Sequence, residues 1–218
     1  MLIHRLVSPA QLRLVSADAY DPSVSDFVDL FREPADPARA KFLARLFGIF
    51  SEDIVSLWAS MPSAPYENLG RPTLRFADET TASTLDFTFR SRASNHTFVV
   101  EMKCEIEYHN FRYFVLESPE QLAHHTKPAF RAFLRAARDP AAAHVRVRGH
   151  VVPIQGAILV WGAGTRVGCD AVRQHYGLAD VLTVESMIRD LADVPDPRYL
   201  ALLDDRRRWA NEMFDGLS

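Results

Sequence analysis

Residues 84–90, TLDFTFR, and 97–107, TFVVEMKCEIE, alternate apolar and polar side chains with a period of two, and this alternation decides the fold. In the first stretch Leu85, Phe87 and Phe89 share one face of a strand, leaving Asp86, Thr88 and Arg90 on the other. In the second, Phe98, Val100, Met102 and Cys104 fall together, and Glu101, Lys103, Glu105 and Glu107 take the opposite face. Between them, residues 92–95 contain the turn formers Ser94 and Asn95, so the two stretches read as a hairpin. A turn centred between Ala93 and Ser94 sets Asp86 opposite Glu101, with Cβ atoms about 5 Å apart. Lys103 then lies about 7 Å farther along the same face, with a stem long enough to return toward the two carboxylates.

Outside the hairpin the period changes. Residues 8–61 read as helical, with Ser8 and Pro9 opening the run and apolar residues continuing through Phe42, Leu46, Ile49 and Phe50. Gly48 and Ser51 predict a break, after which 51–61 restarts with Ser51 as N-cap and Glu52 and Asp53 in its first turn. The breaker-rich residues 62–72 predict a loop, and 73–77 a first strand ahead of the hairpin. A helix follows from Ser118 to about Arg138, kinked or divided at Pro128. Strands at 145–152 and 155–161, a helix at 170–176, a strand at 181–184 and helices at 186–191 and 198–214 complete an α/β pattern.

Composition narrows the classes. With 218 residues, 48% of them hydrophobic and 24% charged, the chain can bury a real core in one compact unit. A net charge of -3 gives no overall attraction to phosphate or to anionic membranes, so any nucleic-acid site must be a local patch. Cys104 and Cys169 stand far apart without CxxC spacing, which argues against a disulfide framework or zinc knuckle and fits a reducing cytoplasmic setting. No apolar run reaches about 18 residues, and MLIHRLVSPAQ lacks a signal-peptide core; neither membrane spanning nor secretion is expected.

Two carboxylates facing each other across a hairpin can grip one hard cation, and magnesium accepts such a pair while keeping several waters. A divalent ion held there acidifies water and offsets charge on a phosphodiester, and a lysine beside it stabilises the oxyanion that develops.

Leu85-Asp86, then fourteen residues, then Glu101-Met102-Lys103 resembles the signature of the PD-(D/E)xK nucleases, with Leu85 standing where the proline of the name would be. That family's core runs helix, three antiparallel strands, helix, strand, an order that can be read in residues 51–161. The resemblance implies a restriction-endonuclease-like mixed central sheet flanked by helices. Residues 1–50 would form a helical extension packed on the core, 51–185 the nuclease-like core, and 186–218 the C-terminal helices. By position it implies Asp86 and Glu101 as metal ligands, the backbone carbonyl of Met102 as a further ligand, and Lys103 as the catalytic lysine. Glu52 matches an extra acidic position of some members, and Gln121 a polar helper of others. The implied activity is a magnesium-dependent endonuclease acting on nucleic acid, DNA foremost, with manganese able to substitute and a homodimer as the expected assembly. The alternative is a catalytically silent member of the same fold that binds nucleic acid or protein. A third reading, an unrelated α/β interaction domain, would have Asp86 and Glu101 pointing apart.

Further residues bear on binding. Tyr108 and Arg112 lie in YHNFRY, residues 108–113, where aromatics interleave with polar groups; they either stack bases and touch the backbone or pack half-buried. Arg146 and Arg148 alternate with Val145 and Val147, either as phosphate contacts or as charges on a solvated strand edge. His124 and His125, about 100° apart on a helix, cannot share one metal well and read as surface residues or phosphate contacts. The run Asp204, Asp205, Arg206, Arg207, Arg208 reads as a salt-bridged helix surface.

Overall fold

A computed structural model describes residues 37–103, 115–193 and 196–217. The expected helix start at Ser8, together with Cys104, Tyr108 and Arg112, lies outside these residues. Helix α1 (Pro37–Ser60) leads into strands β1 (Tyr66–Gly70), β2 (Pro72–Arg75), β3 (Ser83–Thr84), β4 (Phe87–Ser91), β5 (Thr97–Lys103) and β6 (Val115–Leu116). A 3-10 turn (Pro119–Leu122) precedes α2 (Pro128–Arg138), and β7 (His144–Val147), β8 (His150–Val151), β9 (Ala157–Trp161) and β10 (Ala163–Gly164) follow. The chain continues through α3 (Arg166–Tyr176), β11 (Asp180–Thr183), α4 (Val184–Asp193) and α5 (Pro197–Asp215).

Among the described residues the main sheet has five strands in the order β1-β4-β5-β9-β11. β1, β4 and β5 pair antiparallel, while β5, β9 and β11 run parallel. β9 is buried at every position, as expected of a central strand covered on both faces. On one face Phe87, Phe89, Val100, Ile158 and Val160 meet Ile54, Val55 and Trp58 of α1 and Met187 and Leu191 of α4. On the other, Val99, Leu159 and Trp161 meet Phe130 and Phe133 of α2, Val172 of α3, and Leu74, Phe76, Val145 and Val147 of a second sheet. That second sheet has, among the described residues, four strands in the order β3-β2-β7-β8. The architecture is thus a mixed α/β fold with helices on both faces of a mixed sheet. Among the described residues no helix is long and apolar enough to cross a membrane.

The hairpin has the expected register. Phe87 pairs with Val100, Thr88 with Val99, Phe89 with Phe98 and Arg90 with Thr97, a turn centred between Ala93 and Ser94. Asn95 takes a left-handed conformation there (φ 61), which asparagine tolerates better than most residues.

Several expectations are corrected. Leu85 does not share a face with Phe87 and Phe89: it belongs to the core beside α2, because the chain leaves β3, bends at Asp86 and only then enters β4. The backbone of Leu85 donates to Pro72 of the second sheet, whereas that of Asp86 donates to Val100 of the main one. The expected loop 62–72 holds β1, an edge strand half-buried at all positions and so without alternation. The expected first strand, 73–77, instead belongs to the second sheet as β2. Helix α1 runs through Gly48 and Ser51 without a break; Ser51 is buried, and its hydroxyl donates back to the Gly48 carbonyl at 3.3 Å. The expected strand 145–152 is a hairpin, since Arg148 (φ 50) and Gly149 (φ 83) form a two-residue turn with positive φ at both positions. Pro128 divides the expected 118–138 helix by opening α2 as its first residue.

Candidate functional site

The site forms where β4 and β5 part. One step before β4, the backbone of Asp86 still donates to Val100 at 3.2 Å, but its side chain takes over the next pairing, Oδ2 accepting from the Met102 amide at 2.7 Å. The carboxylate is thereby fixed to the strand that carries Glu101 and Lys103, with its other oxygen, Oδ1, facing Arg71 at 3.5 Å. The paired register ends with Phe87 opposite Val100, and Asp86, at the bend just before it, donates to that same Val100.

Glu101 and Lys103 occupy alternate positions on the β5 face that packs toward α2. Glu101 is only 5% exposed, and its Oε1 accepts from Lys103 Nζ at 2.5 Å. The same ammonium lies 3.4 Å from the Met102 carbonyl oxygen and 5.8 Å from the centroid of the Phe130 ring. Burial pushes the Glu101 carboxyl above its ordinary range; Lys103 opposes that shift, the Asp86 charge adds to it, and Arg71 opposes it more weakly. Asp86, Glu101, Lys103 and Arg71 therefore form one electrostatic unit.

Arg71, in the step between β1 and β2, extends the site to α1, its Nη2 lying 3.5 Å from both carboxylate oxygens of Glu52. Glu52 thus joins the constellation through an arginine rather than by touching Asp86. Residue-level reasoning missed Arg71, because a lone arginine in the breaker-rich GRP at 70–72 has no periodic partner and β1 was hidden in the expected loop.

Gln121 is buried, and its side chain serves the backbone. Its Oε1 accepts from the amides of Glu117 (2.6 Å) and Ser118 (2.9 Å), and its Nε2 donates to the Val115 carbonyl (3.0 Å). These bonds close a capping box and account for its burial as a local clamp. His124 is exposed, while the His125 ring lies 4.9 Å from Phe130 and 6.1 Å from Trp161, between centroids. Arg146 lies on the exposed face of β7, an interior strand of the second sheet, and Arg148 occupies the β7–β8 turn, so neither sits on a strand edge. In α5, Arg207 pairs with Asp204 (3.2 Å) and Arg208 with Asp205 (2.5 Å), and Arg206 reaches Asp53 of α1, the salt-bridged surface the sequence suggests.

Among the described residues no group of three or more His, Cys, Asp and Glu side chains is arranged to hold a metal ion. What the site offers is two carboxylates and a backbone carbonyl, all hard oxygens, the set magnesium accepts when it retains waters. Lys103 Nζ, itself a cation, already lies on two of those oxygens, one from Glu101 and one from Met102. The donor chemistry therefore fits a small hard cation.

No protein-family model matches the chain, and neither a curated protein nor a solved structure does.

Proposed function

We propose that this chain is a metal-dependent nuclease of the PD-(D/E)xK type that hydrolyses phosphodiester bonds in nucleic acid, DNA foremost. The observation that carries the reading is that Asp86, where β4 and β5 part, accepts from the amide of Met102, the residue between Glu101 and Lys103, while the lysine ammonium lies on the buried glutamate. Element order supports it. A helix, three antiparallel strands of one sheet, a crossing helix and a strand parallel to the third follow in sequence as α1, β1, β4, β5, α2 and β9. The second sheet enters as an insertion between β1 and β4, joined by β7 and β8. Among the alternatives, an unrelated interaction domain would have Asp86 and Glu101 pointing apart; Asp86 instead accepts from the amide of Met102, the residue next to Glu101.

In this proposal Asp86, Glu101 and the Met102 carbonyl hold magnesium, with manganese as a substitute. Magnesium, when bound, supplies Lewis-acid charge at the scissile phosphate and acidifies water. Lys103 Nζ leaves Glu101 for the phosphate oxygens as charge develops on them, and the Phe130 ring beside it limits its hydration. Arg71, half exposed, is free to turn from Asp86 toward an incoming phosphate.

Supercoiled plasmid incubated with the protein and magnesium or manganese tests the reading, with an RNA arm and with Asp86→Asn and Lys103→Ala alongside. Nicking that requires the divalent ion, stops with EDTA and falls at least about 100-fold in both variants supports it. Circular dichroism establishes that both variants fold. Cleavage that survives in either folded variant, or no cleavage of DNA or RNA across a broad set of sequences, overturns it.

A further inference from the structure

The exposed face of the second sheet carries cations without acids. Along β2, Thr73 and Arg75 face solvent, and along β7, His144 and Arg146 do. The register sets Arg75 opposite His144 and Thr73 opposite Arg146, so the two arginines are diagonal neighbours, about 7 Å apart at their roots. A groove of about 520 Å³ runs over these residues, with Thr80 and Ala82 on its wall, and its lining contains no Asp or Glu. The acids of the adjoining loop have their own partners: Asp78 holds Arg135 at 2.8 and 2.9 Å, and Glu79 accepts from the Phe76 amide. No ion pair reaches Arg75, Arg146 or Arg148 among the described residues.

Two rungs lead to a third. Beyond Thr73 and Arg146 come Arg71 and Arg148. The Arg148 side chain lies against Gly70, its Nε 3.3 Å from where a Cβ of that residue would stand. Gly70 thus lets one arginine lie beside the residue preceding the other. Arg71, in turn, lies 3.5 Å from Asp86. Each step of two residues along the ladder is about 7 Å, so the track covers roughly 14 Å from the far rung to Asp86's neighbour.

Like charges at diagonal sheet positions repel, and protection of a sheet edge does not explain them here, because β2 and β7 are the interior strands. The unopposed charge is complementary to a polyanion that extends along the ladder. We infer that Arg75, His144, Arg146, Arg148 and Arg71 form a phosphate track. It binds the backbone of a nucleic-acid strand on the second sheet and delivers it to the Asp86–Glu101–Lys103 site. The identity of the polyanion rests on the nuclease reading.

The test is binding of fluorescein-labelled DNA of mixed sequence, single-stranded and duplex, followed by anisotropy in EDTA between about 50 and 200 mM salt. The double variant Arg75→Gln/Arg146→Gln is compared with the wild type and with a control, Arg173→Gln/Arg189→Gln, that removes the same charge from α3 and α4. The track predicts at least about 10-fold weaker binding in the first variant and a salt slope shallower by nearly two, with the control retaining the wild-type slope. Undetectable binding by the wild type, an equal loss in the control, or no loss in the track variant overturns the inference. So does displacement of the DNA by poly-glutamate at equal charge, which would point to an acidic protein partner. The two readings fail separately: metal-dependent cleavage with track-independent binding removes only the track, and track-dependent binding without cleavage removes only the nuclease.

Discussion

Replacing Lys103 with methionine keeps the length of the stem and removes the ammonium that Glu101 depends on. The two charges are 2.5 Å apart, with side chains 19% and 7% exposed. At an effective dielectric constant of about 20 their gross attraction is roughly 6 to 7 kcal/mol, most of it offset by desolvation. Breaking a buried pair from one side costs about 3 to 5 kcal/mol, because the remaining charge stays buried; water reaches Lys103, so the lower end, about 3 kcal/mol, is expected near neutral pH. The loss should depend on pH. In the wild type burial raises the Glu101 carboxyl and Lys103 opposes the rise, so the variant leaves it raised further. A carboxyl raised in the folded state contributes stability that is fully present below its unfolded pKa of about 4.3 and is lost as pH climbs through the folded value. Urea unfolding followed by circular dichroism should therefore give a deficit that is small near pH 4 and full near pH 7.5, roughly. Adding Glu101→Gln should recover at least half of it, roughly 1.5 kcal/mol. A deficit equal at both pH values, or a double variant no more stable than the single one, refutes the account of Glu101 as a buried charge held by one lysine.

Gln121→Ala orphans two amides and a carbonyl and should cost about 2 to 3 kcal/mol, with faster hydrogen exchange at Glu117 and Ser118. Lost cleavage at unchanged stability would instead return Gln121 to the role of catalytic helper. Gly168→Ala should cost about 3 kcal/mol or more in a thermal melt, since the new Cβ would stand 2.3 Å from the Leu116 carbonyl oxygen and 2.5 Å from the Glu117 Cα; a change under about 0.5 kcal/mol contradicts that packing. The Cys169 thiol is pushed up to about 11, by burial first and then by the Asp170 and Asp180 charges. Iodoacetamide at about pH 8, read by mass spectrometry, should label it far more slowly in the folded than in the unfolded chain. Equal labelling rates would place the thiol in water.

The hairpin was legible because one periodicity and one turn over-determine it. Phe87, Phe89, Val100 and Met102 must face a core, and Ser94 and Asn95 must turn, which leaves a single register with Phe87 opposite Val100. The fate of Leu85 was not legible, because its alternation fits a longer β4 equally well; only the second sheet, built from residues about 70 positions apart in β2 and β7, draws it to the other core. β1 escaped notice for a related reason. An edge strand that is half-buried throughout has no pattern to read, and Gly70 looked like a breaker when it supplies a positive φ of 119. Arg71, the charge that ties Glu52 to Asp86, was lost with that strand. The turn at Arg148 and Gly149 carried a hairpin signal, the glycine, that the valine alternation around it concealed.

The passage from β3 to β4 has no slack. Only Leu85 and Asp86 separate the last residue of one sheet from the first of the other, and each is tied by its amide to a different side, Pro72 for the former and Val100 for the latter. A tilt of the smaller sheet is shared between these two peptide units, one of which presents the aspartate, and the single residue Arg71 that joins β1 to β2. A molecule pressing on that outer surface would therefore act as a lever on the peptide that carries the carboxylate.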